Sequence, residues 1–167
     1  MHLVSSTAVM SLKGPLDLSI FPPTGGIKGK KFESSKLKLD CCGCALLFKK
    51  GKVVIVGCKD LNSAAREISV KTKQVILEMP VVKNKVFHGK LDYPINLIST
   101  CNKLQTNGWL ASYETELFPA LVISRKKCNS KLQFFSKGKY VITGVKTKAE
   151  AVELMKNITG NIVYVIK

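Results

Sequence analysis

The sequence predicts an α+β fold that is built from two copies of one structural unit. Residues 44–59 and 131–146 align without a gap, and eight of their sixteen positions are identical. Each segment has two short apolar runs around a glycine-containing turn, and residues spaced as in a helix follow it. We therefore expect a pseudo-two-fold tandem duplication, with a first repeat at residues 1–79 and a second at residues 80–167. The function should lie on a surface that both repeats share.

Each repeat is predicted to contain a strand and then a β-hairpin, because turn residues separate three short apolar runs. The predicted strands cover residues 34–39, 44–48 and 52–56 in the first repeat, and 120–124, 133–135 and 139–143 in the second. Gly57 and Gly144 are expected to end the second strand of each hairpin.

A helix is predicted after each hairpin. Asp60 or Ser63 is the expected cap of the first helix, and Thr147 with Glu150 forms a capping box for the second. Apolar residues at mostly three- and four-residue steps define the buried side of the first helix, namely Leu61, Ala65, Ile68, Val75 and Met79.

The second strand of each hairpin is apolar on both faces. In an antiparallel sheet with helices on one face, the other face is normally exposed to water and carries polar side chains. We expect Val53, Ile55, Tyr140 and Ile142 to face the helices, and Val54, Val56, Val141 and Thr143 to lie on the opposite face. A second buried layer would also explain the pattern, but the chain has few additional elements to build one. An exposed, weakly polar sheet that binds a ligand is therefore the preferred interpretation.

The charge of the chain favours a polyanionic partner. The formal net charge is +16, from 27 Lys and Arg residues against 11 Asp and Glu residues. Each neutralised phosphate releases condensed counterions, so nucleic acid is the expected partner. Solubility or a compositional bias of the genome is the alternative explanation.

The composition predicts an intracellular protein without a membrane partner, a cofactor or enzymatic activity. No apolar run approaches the roughly 18 residues that span a bilayer, and residues 1–12 lack the basic segment of a signal peptide. Cys41, Cys42 and Cys44 are close together, but no second cysteine or histidine pair has a zinc-like spacing. No paired carboxylates or catalytic constellation are present, and His88 has no evident partner.

The second repeat contains the segment Tyr113-Glu-Thr-Glu-Leu-Phe-Pro-Ala-Leu121, and both repeats contain the pattern F-x-x-G-K-x-V-x-x-G-x-K. Together these motifs resemble the conserved core of the TATA-binding protein family, over residues 5–158. The resemblance implies a saddle, in which a curved antiparallel sheet straddles DNA and carries helices on its convex face. The TATA-binding protein is itself the standard example of a protein that kinks DNA through the minor groove, so this mechanism follows from the resemblance alone.

The resemblance also assigns DNA-binding roles to individual residues. The residues that intercalate between base steps are Phe32, Phe48, Phe118 and Phe135. The residues that contact the minor groove are Leu46, Val54, Val56, Asn84, Val86, Pro119, Val141 and Thr143. The residues that hold phosphates are Lys31, Lys38, Lys52, Lys59, Lys139 and Lys146. Small apolar side chains suit the A·T minor groove and clash with the amine that G·C adds.

Several positions depart from the family pattern. Ser5 replaces a central asparagine, Thr7 replaces a valine, and Gln133 replaces a leucine of the groove floor. Glu33 follows the first intercalating position, and Ser124 replaces an arginine. These departures predict an altered DNA sequence preference and an asymmetric contact with DNA, in which the second repeat contributes most of the binding.

The resemblance implies a general transcription initiation factor that binds and bends A/T-rich promoter DNA. Glu114, Glu116 and Leu117 match the loop through which the family recruits transcription factor IIB. The implied partners are double-stranded A/T-rich DNA, a factor IIB-like protein and the RNA polymerase initiation complex, with a homodimer off DNA left open. The implied location is the nucleus, or a cytoplasmic viral factory if the lineage is viral. A divergent paralogue that acts as a regulator or decoy through protein partners is the main alternative, and a duplicated RNA-recognition sheet is another.

Overall fold

The computed structural model of the chain describes residues 1–23, 34–41, 43–124 and 129–165. Its elements in chain order are β1 (His2–Leu12), β2 (Ser34–Lys38), β3 (Cys44–Phe48), β4 (Lys52–Val56), α1 (Leu61–Thr72), β5 (Ile76–Lys90), α2 (Leu97–Thr106), β6 (Leu110–Ser112), β7 (Leu121–Ser124), β8 (Lys131–Phe134), β9 (Lys139–Val145) and α3 (Lys148–Thr159). Antiparallel strands and separate helices make this an α+β fold, as predicted. In the described part of the chain, no helix is long and apolar enough to span a membrane.

The chain divides into two compact units. The N-terminal unit is Ser5–Asn84, and the C-terminal unit combines Met1–Val4 with Lys85–Lys167. The boundary lies within β5, a few residues after the predicted junction of the sequence repeats. The division into repeats at residues 1–79 and 80–167 stays a prediction, because spatial units need not end where repeats end.

The N-terminal unit contains antiparallel strands in the order β2-β3-β4-β1. Direct cross-strand partners lie on the same face of a sheet, so the register defines rows of adjacent side chains. One buried row consists of Leu37, Ala45, Ile55 and Ala8. Ala64, Ala65 and Ile68 of α1 belong to the same core cluster. The helix therefore covers this face of the sheet.

The C-terminal unit repeats the arrangement with strands in the order β5-β9-β8-β7-β6. One buried row consists of Ile123, Leu132, Ile142 and Phe87. Leu104 of α2 and Ile158 of α3 are fully buried in the same cluster. Both helices thus pack on one face of this unit.

The alternation predicted for the second hairpin strands is confirmed. Val53, Ile55 and Ile142 are 0% exposed and Tyr140 is 7% exposed, all within the helix-side cores. Val54, Val56, Val141 and Thr143, on the opposite face, are only half-buried. Because side chains alternate between faces along a strand, the helices leave the second face of each unit open.

The first helix is shorter than its apolar spacing indicates. It ends at Thr72, and Lys73 adopts the left-handed conformation at φ 54. The N–H groups of Lys73 and Gln74 donate to Val70 and Ser69, which is a Schellman termination. Val75 and Met79, predicted on the helix, therefore lie beyond it, and Met79 is an exposed residue of β5. Their four-residue separation matched a helical step by coincidence within an alternating strand.

Both predicted N-terminal caps occur, with differences in detail. Asp60, not Ser63, caps α1, and its carboxylate accepts hydrogen bonds from the N–H groups of Asn62 and Ser63. At α3, Thr147 accepts from the N–H of Glu150 at 3.1 Å. The Glu150 carboxylate accepts from the N–H of Lys146, one residue before the cap. Beyond the caps, β9 continues to Val145, one residue past the predicted end at Gly144.

The carboxylate of Glu67 on α1 binds the loop between β2 and β3. Glu67 accepts hydrogen bonds from the N–H groups of Asp40 at 2.7 Å and Cys41 at 3.2 Å, and it pairs with Lys71 at 2.7 Å. Burial by itself would raise the pKa of the Glu67 carboxyl, but the hydrogen bonds from Lys71 and the two N–H groups outweigh burial and lower the pKa to about 2. Glu67 is therefore a fixed anion that orders the loop.

We expect Glu67→Gln to reduce the free energy of unfolding at pH 7 by about 1–3 kcal/mol, since two N–H groups and an ammonium lose a charged acceptor. The folded-state pKa of Glu67 lies below its ordinary value of 4.5. Its stabilising contribution is therefore complete above that value and is lost as the pH falls towards 2. Urea unfolding at pH 7 and near pH 2.5 should show the difference between variant and wild type shrinking in acid.

Glu153→Gln provides the matched control, because Glu153 is an exposed carboxylate on α3. Its effect should stay within about 0.5 kcal/mol at both pH values. A Glu67→Gln protein as stable as wild type at pH 7 would contradict the role given to this carboxylate.

Candidate nucleic-acid interface

The open face of the N-terminal unit has an apolar centre with lysines at its edge. One row of cross-strand neighbours consists of Lys36, Leu46, Val54 and Val9. The next row consists of Lys38, Cys44, Val56 and Thr7. The lysines are exposed and the other side chains are half-buried, so this surface is an apolar strip with a cationic border, and no helix covers it in the described part of the chain.

The open face of the C-terminal unit is more polar. One row consists of Ser112, Val122, Gln133, Val141 and His88, and another of Leu110, Ser124, Lys131 and Thr143. Val141 and Thr143 occupy the same positions in this unit as Val54 and Val56 in the other. The apolar strip is therefore present but is interrupted by side chains that can form hydrogen bonds.

Two of the four predicted intercalating phenylalanines form a ring pair on the C-terminal unit. The centroids of Phe118 and Phe135 are 6.2 Å apart, and the ring planes meet at 66°. Phe118 is 40% exposed, whereas Phe134 and Phe87 are 0% and 3% exposed in the core. The pair therefore belongs to the surface and is separate from the aromatic core.

The hairpin turn holds Phe135 in place. Its N–H donates to the carbonyl of Lys139, and its own carbonyl accepts from the N–H of Gly138, both at 2.9 Å. Gly138 has φ +80, and a Cβ there would lie 2.7 Å from the carbonyl oxygen of Tyr93. Only glycine fits this position, so Gly138 fixes the turn that follows Phe135.

The other two predicted intercalating positions differ in what the structure describes. Phe48 ends β3, is half-buried and pairs across the strands with Ser34. Phe32 lies outside the described residues, as does Lys31 among the predicted phosphate-binding lysines. Of the two predicted intercalating residues in the N-terminal unit, the structure therefore describes Phe48.

The remaining predicted phosphate-binding lysines are all exposed, namely Lys38, Lys52, Lys59, Lys139 and Lys146. Lys52 and Lys139 begin β4 and β9, on the same face as Val54 and Val141. Among the described residues, the ion pairs involve Lys71 and none of these five lysines. Their charges are available to an external anion.

The other predicted groove residues lie on or beside the two units. Asn84 is half-buried in β5, and Pro119 is exposed beside Phe118. Val86 lies at a register shift between Lys85 and Phe87 in the pairing of β5 with β9. Such a register shift changes the direction of side chains locally, which a sequence pattern does not reveal.

The predicted partner-binding loop is an exposed turn. Leu117 is 79% exposed, and Glu114 before the turn and Glu116 within it are also exposed. The Glu114 carboxylate accepts a hydrogen bond from the hydroxyl of Ser112 at 3.0 Å. An exposed apolar side chain that follows two exposed carboxylates in the chain suits a partner with an apolar recess and nearby cations.

Histidines add a feature that the repeat analysis did not assign to the site. His2 and His88 have ring centroids 5.8 Å apart, and with Met1, Lys90, Phe135 and Lys139 they line a cavity of about 550 Å³. A period of two along the strand from Val86 would have placed His88 near the predicted groove face. In the described part of the chain, no group of three or more His, Cys, Asp or Glu residues could hold a metal ion.

Comparisons with known proteins agree with the resemblance of the motifs. Residues 79–163 match the family model described as "Transcription factor TFIID (or TATA-binding protein, TBP)". The chain is 34% identical over 128 residues to the TATA-box-binding protein of Artemia franciscana, covering 68% of this chain and 43% of that protein. It is 29% identical over 160 residues to the TATA-box-binding protein of Pyrococcus furiosus, covering 90% of this chain and 80% of that protein.

A solved structure gives the same result for the fold. The structure named "Methanococcus jannaschii TBP" superposes with a TM-score of 0.72 at 22% identity and covers 95% of each chain. At that identity the superposition concerns the fold alone. The family model matches more than half of the residues, and with the duplicated hairpin motif it leads to one conclusion: the chain belongs to the TATA-binding protein family.

Proposed function

We propose that this chain binds A/T-rich double-stranded DNA through the minor groove, bends it, and acts as a general transcription initiation factor without catalysis. It works inside the cell, in the nucleus where the cell has one. The observation that carries the proposal is the exposed ring pair Phe118–Phe135 of the C-terminal unit, whose open sheet face also carries the exposed residues Lys131 and Lys139. Each part has a separate role on DNA.

The apolar strip supports contact with the minor-groove floor. Leu46, Val54 and Val56 lack hydrogen-bond donors and acceptors in their side chains. They therefore fit the minor groove of A·T pairs, where no exocyclic amine is present. Burial of these half-exposed side chains on DNA would remove apolar surface from water, which favours association. A sheet surface that faces water normally carries polar side chains, whereas Leu46, Val54 and Val56 are apolar.

The ring pair supports DNA bending. A phenylalanine ring can replace the stacking that is lost when a base step opens, and the opened step bends the duplex towards the major groove. Phe118 and Phe135 approach each other edge to face at 6.2 Å, so two rings can enter one step together. The hairpin turn at Gly138 provides the rigid support that a wedge requires.

The lysines at the strand starts and in the loops after the strands support phosphate contact. They hold the backbone of the duplex on both sides of the apolar strip without reading sequence. Since they have no carboxylate partners among the described residues, no ion pair has to break before phosphate binds.

We expect Phe118→Ala and Phe135→Ala each to weaken binding to a short A/T-rich duplex by about 1–3 kcal/mol, because each removes one stacking surface. The larger effect should be on bending, measured by energy transfer between dyes at the duplex ends. Ile98→Ala removes an exposed apolar side chain from α2 and is the matched control. An unchanged bend in both phenylalanine variants would exclude the wedge role.

We expect Lys52→Gln and Lys139→Gln each to reduce the slope of log K against log salt concentration by about 0.9, the value for one phosphate contact. The loss of affinity should be equal for A/T-rich and random duplexes, because phosphates carry no sequence information. Lys156→Gln on α3 should leave the slope unchanged. Fluorescence anisotropy titrations at several salt concentrations measure this slope. If the affinity of the wild type did not change with salt, the phosphate role of all these lysines would be contradicted.

The exposed loop at Glu114–Leu117 supports recruitment of a factor IIB-like protein, and through it an RNA polymerase initiation complex. We expect Glu116→Lys and Leu117→Ala to weaken capture of a purified factor IIB protein on preformed DNA complexes by about tenfold or more, as for a central interface contact. DNA binding alone should not change. Glu153→Lys on α3 controls for added charge.

The same experiment separates the two candidate roles. Capture of factor IIB by wild-type protein that binds no duplex would favour the regulator or decoy over the initiation factor. Equal capture by all variants would remove the loop from the proposal.

A further inference from the structure

A pair of polar side chains lies on either side of Val141 on the open face of the C-terminal unit. Gln133 of β8 and His88 of β5 are its direct cross-strand partners. Gln133 is half-buried and His88 is exposed. Adjacent strands are about 4.8 Å apart, so the two side chains project from points about 10 Å apart on one face.

The N-terminal unit has apolar residues at the equivalent positions. Val54 corresponds to Val141 in the duplicated segment, and its cross-strand partners are Leu46 and Val9. The two units thus present the same row, with leucine and valine in one and glutamine and histidine in the other. Because the two rows are equivalent, a comparison of the two units isolates the effect of the polar side chains on base recognition.

The chemical difference concerns one hydrogen of guanine. In the minor groove, A·T pairs show only acceptors, and G·C adds the amine of guanine. Leucine and valine leave that amine without an acceptor, which penalises G·C when the groove is desolvated. A glutamine amide oxygen and the unprotonated nitrogen of a neutral imidazole can each accept from it.

Both side chains are available for this contact. No hydrogen bond joins the side chain of Gln133 or of His88 to another side chain or backbone group in the described part of the chain. The ring centroids of His88 and His2 are 5.8 Å apart, and both residues line the cavity that also reaches Phe135 and Lys139. The amide can turn its donor to A·T acceptors as readily as its oxygen to guanine, so A·T binding is retained.

We propose that Gln133 and His88 are specificity-determining residues that each accept a hydrogen bond from a guanine amine in the minor groove. The C-terminal unit then tolerates G·C pairs at two positions of its binding site, whereas the row of Leu46, Val54 and Val9 excludes them. This inference rests on the proposed DNA binding and adds the sequence that the site accepts.

The test is a set of duplexes in which each pair of a bound A/T-rich site is changed singly to G·C, titrated with the full chain at pH 8. We expect two positions at which the change reduces affinity less than about threefold, against roughly tenfold or more elsewhere, the usual range for a wrong pair. Gln133→Leu should remove the tolerance at one position, and His88→Val at the other.

Leu46→Gln provides the reciprocal variant and should create a new tolerated position. Thermal unfolding of each variant shows whether it is folded. Wild-type protein that binds no A/T-rich duplex would overturn the proposed function and this inference together. Wild-type protein that binds such a duplex but penalises G·C equally along it would overturn this inference alone, and so would folded Gln133→Leu and His88→Val proteins with the wild-type profile.

Discussion

The structure depends on the one-sided burial of each sheet. Helices cover one face of each unit, where Ile55 and Ile142 are fully buried. Alternation along the same strands then places Val54 and Val141 on the other face, which no described helix covers. The strand that anchors the core therefore also builds the proposed binding face. A shift of its register by one residue would exchange the buried and the open sets of side chains. Fold stability and the proposed DNA contact are linked by this single constraint.

The two units have kept the constraint but diverged in what they display. The N-terminal face is apolar with lysines at its edge, whereas the C-terminal face carries Gln133 and His88 around Val141. The exposed ring pair Phe118–Phe135 also belongs to the C-terminal unit. Duplication produces two equivalent surfaces, and substitution on the open face does not disturb the core behind it. Divergence in specificity is therefore possible at little cost in stability.

Electrostatics complement this geometry in two ways. The exposed lysines have no carboxylate partners among the described residues, so their charges are free to pair with the phosphates of the proposed DNA partner. The ion pairs of Lys71 instead serve the fold, since Glu67 holds the β2–β3 loop against α1. The acidic turn around Leu117 is a local exception in a basic protein, which favours its use with a protein partner over DNA.

The sequence by itself determined the duplicated hairpins, the cap at Thr147, the two-faced second strands and the family, and it limited the first cap to Asp60 or Ser63, because these depend on local periodicity and on near neighbours in the chain. It could not determine where α1 ends, since Val75 and Met79 fit a helical step as well as a strand, and the Schellman turn at Lys73 decided between them. The Phe118–Phe135 pair, the register shift at Val86 and the placement of Gln133 and His88 beside Val141 were decided by the tertiary structure. These features join residues that are distant in sequence, and cross-strand register, which brings them together, is a property of the folded sheet.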